Sequence, residues 1–204
     1  MEESRRERKK RQTRQLLVST ALRLFAQQGY DQTTVAQIAA AADVATKTFF
    51  NYFPTKEDVL FAQAEQYMEL SADVVAAREP TDGLAEVLLK AYEQVIAHYL
   101  TVGPMAGDRE LTKVYEQVLM TVPAVQARAL HLLFDLQREL ARQLLKAFPD
   151  KLDPISAAVV AGVFMGAVQS AGNAARELGQ SSDEEITESM RRGVEIAMRG
   201  LRSF

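Results

Sequence analysis

Cysteine is absent from this 204-residue chain, histidine occurs twice and proline six times. Without cysteine there can be no disulfide and no thiolate metal site. The two histidines, His98 and His131, have no metal-ligand residues beside them in sequence and read as partly buried or surface side chains. Also missing are a glycine-rich phosphate loop, an HExxH motif and the ExxH pairs of a di-iron bundle, and nothing sets a serine against either histidine. No catalytic residue, metal ligand or cofactor is therefore assigned, and the chain is expected not to be an enzyme. No apolar run looks long enough to span a bilayer. The N-terminus is charged and lacks the apolar region of a secretory signal. A cytoplasmic location is expected.

The scarce prolines organise what is present. All six (Pro54, Pro80, Pro104, Pro123, Pro149 and Pro154) fall at plausible element boundaries. Because proline is poorly tolerated inside helices, the long segments between them read as helices. The fold expected is all-α, with about nine helices. After a helix from Thr13 to about Gln28, the later ones are placed at 56–78, 82–100, 108–120, 123–148, 154–178 and 184–201. Asp153 before Pro154 is a helix start, and Ser182 with Glu185 is a capping box.

The most informative stretch is TTVAQIAAAADVATKTFFNYFPTK, residues 33–56. Thr34 and Gln37 fit a capping box. Val35, Ile38, Ala39 and Ala42 then fall on one helical face. Asp43 interrupts this pattern and suits a turn. A second helix follows from about Thr46 to Phe53. Its Phe49 and Phe53, four apart, face the core. Thr46, Lys47, Phe50 and Asn51 are not needed there. Pro54 stops the helix, and Thr55 with Asp58 can start the next. Leu17, Ala21, Leu24 and Phe25 of the preceding helix supply a third wall, with Gly29 as its stop. The result is a three-helix unit containing a helix-turn-helix, whose second helix enters the DNA major groove.

Residues 13–60 resemble the N-terminal domain of the TetR family of transcriptional regulators. The resemblance rests on the opening LRLFAQQGYDQTTV, the IAAAADV helix, the TFFNYF recognition helix and KEDVL. Three positions depart from the family pattern: Asp43 where glycine is usual, Ala45 where a capping serine is common, leaving Thr46 as a substitute, and Phe50 where tyrosine is common. Position matching and chemistry together set Thr46, Lys47 and Phe50 near bases, and Thr34, Thr48, Asn51, Tyr52 and Lys56 at phosphates.

Charge is unevenly spread. Residues 1–60 carry a net +3 and residues 61–204 a net −6, giving the total of −3. Arg5, Arg6, Arg8, Lys9, Lys10 and Arg11 form a basic arm over residues 1–12, expected to add salt-dependent affinity for DNA. The bland alternative is a solubilising tail. Residues 61–204 are expected to form a helical effector-binding and dimerisation domain. By the resemblance, helices eight and nine would make a homodimer interface through Ala158, Gly162, Gly166, Met190 and Val194; intrachain packing is the alternative. A largely apolar effector would meet some of Tyr92, Tyr99, Met105, Tyr115, Met120, Phe134, Phe164, Met165 and Gln169, residue types that more often serve as core than as ligand contacts. The function expected is a repressor that binds a pseudo-palindromic operator as a dimer and is released by a small molecule. Against it stand a helical small-molecule or lipid carrier, an enzyme, and a DNA-bending protein without an effector.

Overall fold

Helix α1 spans Arg5–Gln28 and begins well before the expected Thr13. Ser4 and Glu7 are responsible. The Ser4 hydroxyl accepts from the Glu7 N–H at 3.2 Å, and the Glu7 carboxylate accepts from the Ser4 N–H at 3.1 Å. Two orphan donors are thus satisfied at once. The residues that follow are mostly Arg, Lys and Gln, good helix formers. The basic segment is therefore the opening turns of α1. This computed structural model describes residues 4–102, 108–180 and 182–201.

Those residues are helical apart from turns and connections, with no strand among them. After α1 come α2 (Val35–Ala41), α3 (Thr46–Phe50), a 3-10 turn (Glu57–Phe61), α4 (Ala64–Ala76), α5 (Leu84–Val102), α6 (Arg109–Thr121), α7 (Pro123–Ala147), α8 (Pro154–Glu177) and α9 (Asp183–Leu201). Two differences from expectation concern the head. The recognition helix stops at Phe50, with Asn51 and Tyr52 in the turn beyond it and Phe53 following. The single helix expected over 56–78 is a 3-10 turn followed by α4. Thr55 and Asp58 exchange hydrogen bonds at a three-residue spacing, Thr55 N–H to Asp58 Oδ2 at 2.9 Å and Asp58 N–H to Thr55 Oγ1 at 3.4 Å. That spacing suits a three-residue turn.

The chain forms two compact units. The first contains residues 4–64, 102 and 108–130. Leu17, Val18, Ala21, Leu22 and Phe25 of α1, Ile38 and Ala39 of α2, and Phe49 and Phe53 are all buried here, as are Leu111, Val118 and Val125. Helix α6 packs on α1. Each of the large side chains contributes roughly 1.5–3 kcal/mol by leaving water. An ion pair runs across this unit, Arg128 Nε to Asp58 Oδ1 at 2.5 Å. Burial alone would raise the Asp58 carboxyl, but Arg128 and Thr55 together bring it below the usual aspartate range.

The second unit contains 65–101, 131–180 and 182–201. Its core joins Val87, Leu88 and Tyr92 of α5, Leu140 and Leu144 of α7, Val160 and Phe164 of α8, and Val194 and Met198 of α9. Helices α8 and α9 pack closely because Gly172 and Gly193 lie at their contact. A Cβ at Gly193 would come within 2.8 Å of the Ala167 carbonyl oxygen and 2.6 Å of the Ala171 Cβ. Arg78 stacks over the Phe148 ring at 4.3 Å and donates to the terminal carbonyl of α7, at Ala147.

Helix α8 corrects one expectation from the sequence. Its mean hydropathy of 1.6 makes it, among the described residues, a helix long and apolar enough to cross a membrane by length and composition. The apolar stretch counted from sequence, 157–168, is shorter than the helix, whose valines and alanines carry the average upward. One face of α8 is buried through Ala157, Val160, Ala161 and Phe164.

Candidate nucleic-acid interface

The head begins with a left-handed stop and an ordered loop. Gly29 takes φ +83° and donates its N–H to Phe25 O, closing α1. The loop that follows is tied down by Gln28, whose amide donates to Gln32 O, Thr33 Oγ1 and Gln37 Oε1. At the start of α2, Thr34 Oγ1 accepts from the Gln37 N–H at 3.2 Å, and Gln37 Oε1 accepts from the Thr34 N–H at 2.8 Å. The expected capping box is present, so the exposed Thr34 hydroxyl already has a structural task.

Asp43 turns the chain into the recognition helix with φ +53°. Aspartate tolerates that left-handed conformation better than most residues, which explains how it stands where the family usually has glycine. Helix α3 then starts at N-cap Ala45 without any side-chain cap. Thr46 does not replace the missing serine, because it is the first residue inside the helix.

Phe49 and Phe53 are 0% and 1% exposed and fix the orientation of α3. Their rings meet at 5.5 Å, and the Arg14 guanidinium lies over Phe53 at 5.1 Å. The opposite surface carries Thr46, Lys47, Phe50 and Asn51, all exposed, while Thr48 and Tyr52 are half-buried. The residues set near bases by position matching are thus brought together on one outward face. Arg5, Arg6, Arg8, Lys9, Lys10 and Arg11 are exposed on the first turns of α1.

Lys56 occupies a more constrained place than its sequence suggested. Its ammonium donates to Tyr30 O at 2.9 Å and Thr33 O at 3.0 Å and lies 3.8 Å from the Tyr30 ring centre. Burial lowers its pKa, against the opposing pull of Glu57 and Asp31. Two of its three N–H donors are used by these carbonyls. The Tyr30 hydroxyl donates to Glu57. Burial, and then Glu57, push that phenol well above its ordinary range. Tyr30, Glu57 and Lys56 together fasten the 3-10 turn to the loop before α2. From sequence only Lys56 stood out, because these partners lie far apart along the chain.

The nine effector-site candidates are distributed over both units and the residues outside the described ones. Tyr115 and Met120 are in the first unit, and Met105 lies outside the described residues. In the second unit, Phe164 is core, Met165 packs against the core, and Phe134 and Gln169 are exposed. Tyr92 is buried; its hydroxyl donates to Thr187 O at 2.6 Å, and burial pushes its pKa up to about 12. Tyr99 is half-buried and joins a ring cluster missed from sequence, with Tyr67 6.4 Å from Tyr99 and 6.1 Å from His98. His98 Nε2 and, on α7, Gln143 Oε1 are buried without a hydrogen-bond partner among the described residues. An unmet buried polar atom costs about 1–3 kcal/mol and calls for an explanation.

On α8, Ile155, Val159 and Val163 are 77%, 56% and 40% exposed. Gly162 and Gly166 share that face, and a Cβ on either would meet nothing within 4 Å. Ala158 is exposed beside them. The other two residues expected at a dimer interface differ. Val194 is 0% exposed in its own unit's core, so it has no surface to offer a second copy. Met190 is half-buried against Gly172.

Residues 17–62 match the family model for bacterial regulatory proteins of the tetR family. The chain is 31% identical over 138 residues to the HTH-type transcriptional regulator TcmR of Streptomyces glaucescens, an alignment covering 67% of this chain and 61% of that protein. It thus spans less than two thirds of that relative. Two solved structures share the fold. One is a TetR-family regulator from Syntrophomonas wolfei, at TM-score 0.61 and 19% identity, covering 94% of this chain and 97% of the other. The second is FadR of Bacillus subtilis in complex with stearoyl-CoA, at TM-score 0.58 and 19% identity, covering 91% and 97%.

Proposed function

With residues 17–62 belonging to the tetR family of bacterial regulatory proteins, we propose that the chain is a sequence-specific DNA-binding transcriptional regulator. It acts as a repressor, binds a pseudo-palindromic operator as a homodimer and is released by a small molecule. One observation carries the proposal. Phe49 and Phe53 anchor α3 so that Thr46, Lys47, Phe50 and Asn51 face outward together, beside a head whose net charge is positive.

Each part has its own support. Lys47 and Thr46 supply donors for base edges, and the exposed arginines and lysines of α1 supply phosphate contacts that fix register. Asn51, Thr48, Tyr52 and Lys56 add to these. The exposed Ile155–Val159–Val163 stripe with its open glycines favours a two-fold interface. That interface would present two heads to half-sites about 34–36 Å apart. The membrane alternative for α8 explains neither its buried face nor the basic head, and a soluble, cytoplasmic regulator accommodates both.

The effector site is proposed in the second unit, beside Tyr67, His98 and Tyr99. His98 Nε2 is an unmet polar atom suited to fixing the polar end of a largely apolar ligand. The binding of an acyl-CoA by FadR is compatible with such a ligand. The ligand must favour one head spacing over the other, or it shifts nothing.

Selection of bound sequences from random duplexes at physiological salt tests the DNA-binding claim. A recovered pseudo-palindrome is expected. Weak, salt-sensitive binding with no consensus would instead favour a helical carrier protein.

A further inference from the structure

Among the described aromatic side chains of the head, Phe50 is exceptional. Phe25, Tyr30, Phe49 and Phe53 are at most 8% exposed, whereas Phe50 is 51% exposed. Its ring is held in place, meeting Phe49 edge-on at 5.7 Å and 85°, and Phe49 is locked in the core. Thr46 and Lys47 lie four and three positions before it and share its surface. Folding does not explain why a large apolar ring stands in water in the middle of a polar, cationic face.

We infer that Phe50 reads the 5-methyl group of a thymine, one in each half-site. Phenylalanine has no hydroxyl, so it cannot donate to a phosphate oxygen or to a base acceptor. In the major groove, guanine, cytosine and adenine present donors and acceptors, and only thymine adds a methyl group. An apolar ring gains by burying that methyl and loses by covering an unmet donor or acceptor. Lys47 beside it takes an acceptor on a neighbouring base or phosphate. Phe50 thus selects for thymine and against the other three bases at one position. The inference rests on the operator reading proposed above.

Its test changes the DNA rather than the protein. In the operator recovered by selection, each thymine is replaced in turn by deoxyuridine, which removes the methyl and leaves base pairing intact. Affinities are measured for the intact chain and for Phe50→Ala, with a melting curve to show that the head stays folded without the ring contact to Phe49. At one thymine per half-site the intact chain should lose roughly fourfold in affinity, the value of one buried methyl. Phe50→Ala should be indifferent to the same replacement. If Phe50→Ala weakens all sequences equally and no thymine distinguishes the two proteins, Phe50 contacts sugar or backbone and the inference is overturned while the operator reading survives. A selection that yields no consensus would overturn both.

Discussion

Lys47 and Lys56 show how two lysines nine positions apart can have different tasks. Lys47 is exposed, so Lys47→Ala should weaken operator binding roughly ten- to a hundredfold while leaving the thermal midpoint unchanged. Lys56 bridges two backbone carbonyls, so Lys56→Met should lower stability by about 1–3 kcal/mol as well as weaken binding. Melting curves alongside binding titrations separate the two. Asp58 adds a pH dependence. Its folded pKa lies below its unfolded value, so the stability it contributes is fully present above the ordinary aspartate range and is lost as pH falls through the folded value. Asp58→Asn should cost about 2 kcal/mol at neutral pH and should flatten the acid limb of the stability curve. At this scale the sequence was legible where spacing is local. Phe49 and Phe53 declare themselves as core by their four-residue interval. Lys56 does not declare its partners, because the carbonyls it holds lie 26 and 23 positions earlier.

Helices α1, α8 and α9 set the problem at the scale of elements. Basic residues in the first turns of α1 oppose the helix dipole and repel one another. The Ser4–Glu7 capping box is what offsets this. Replacing both residues by alanine should fray the segment before Thr13, read as lost helical ellipticity at low salt that duplex DNA restores. From sequence the helix is expected to start only at Thr13, because the Ser4–Glu7 cap is not read there. For α8 and α9, Gly193→Ala should cost about 1–3 kcal/mol, because backbone and a neighbouring Cβ block the new methyl. Gly172→Ala should cost far less, since the obstructing atom is the flexible end of Met190. Denaturant unfolding of the two variants gives the comparison. Sequence drew attention to Gly162 and Gly166 by their spacing, yet the close intrachain approach uses Gly172 and Gly193. Spacing marks a helix face for tight contact without saying which neighbour occupies it.

For the whole molecule, the head and the succession of helices were legible from caps, prolines and apolar periodicity. The grouping of the helices was not. Helix α6 packs on α1 inside the first unit, a contact between distant segments that leaves no local mark. An effector site leaves no local mark either: an aromatic or methionine in a helical sequence looks alike in a core, at a surface or in a binding site. The α8 face offers the clearest prediction about assembly. Val159→Glu and Val163→Glu should leave the protomer folded, because both sites are exposed, and should shift sedimentation from dimer to monomer.

The most direct single measurement is the affinity and stoichiometry of the purified chain on its selected duplex, compared with a scrambled duplex at the same physiological salt. Two chains per duplex and a preference of about a thousandfold or more for the selected sequence are predicted. Equal affinity for both duplexes, falling steeply with salt, would contradict a sequence-specific regulator.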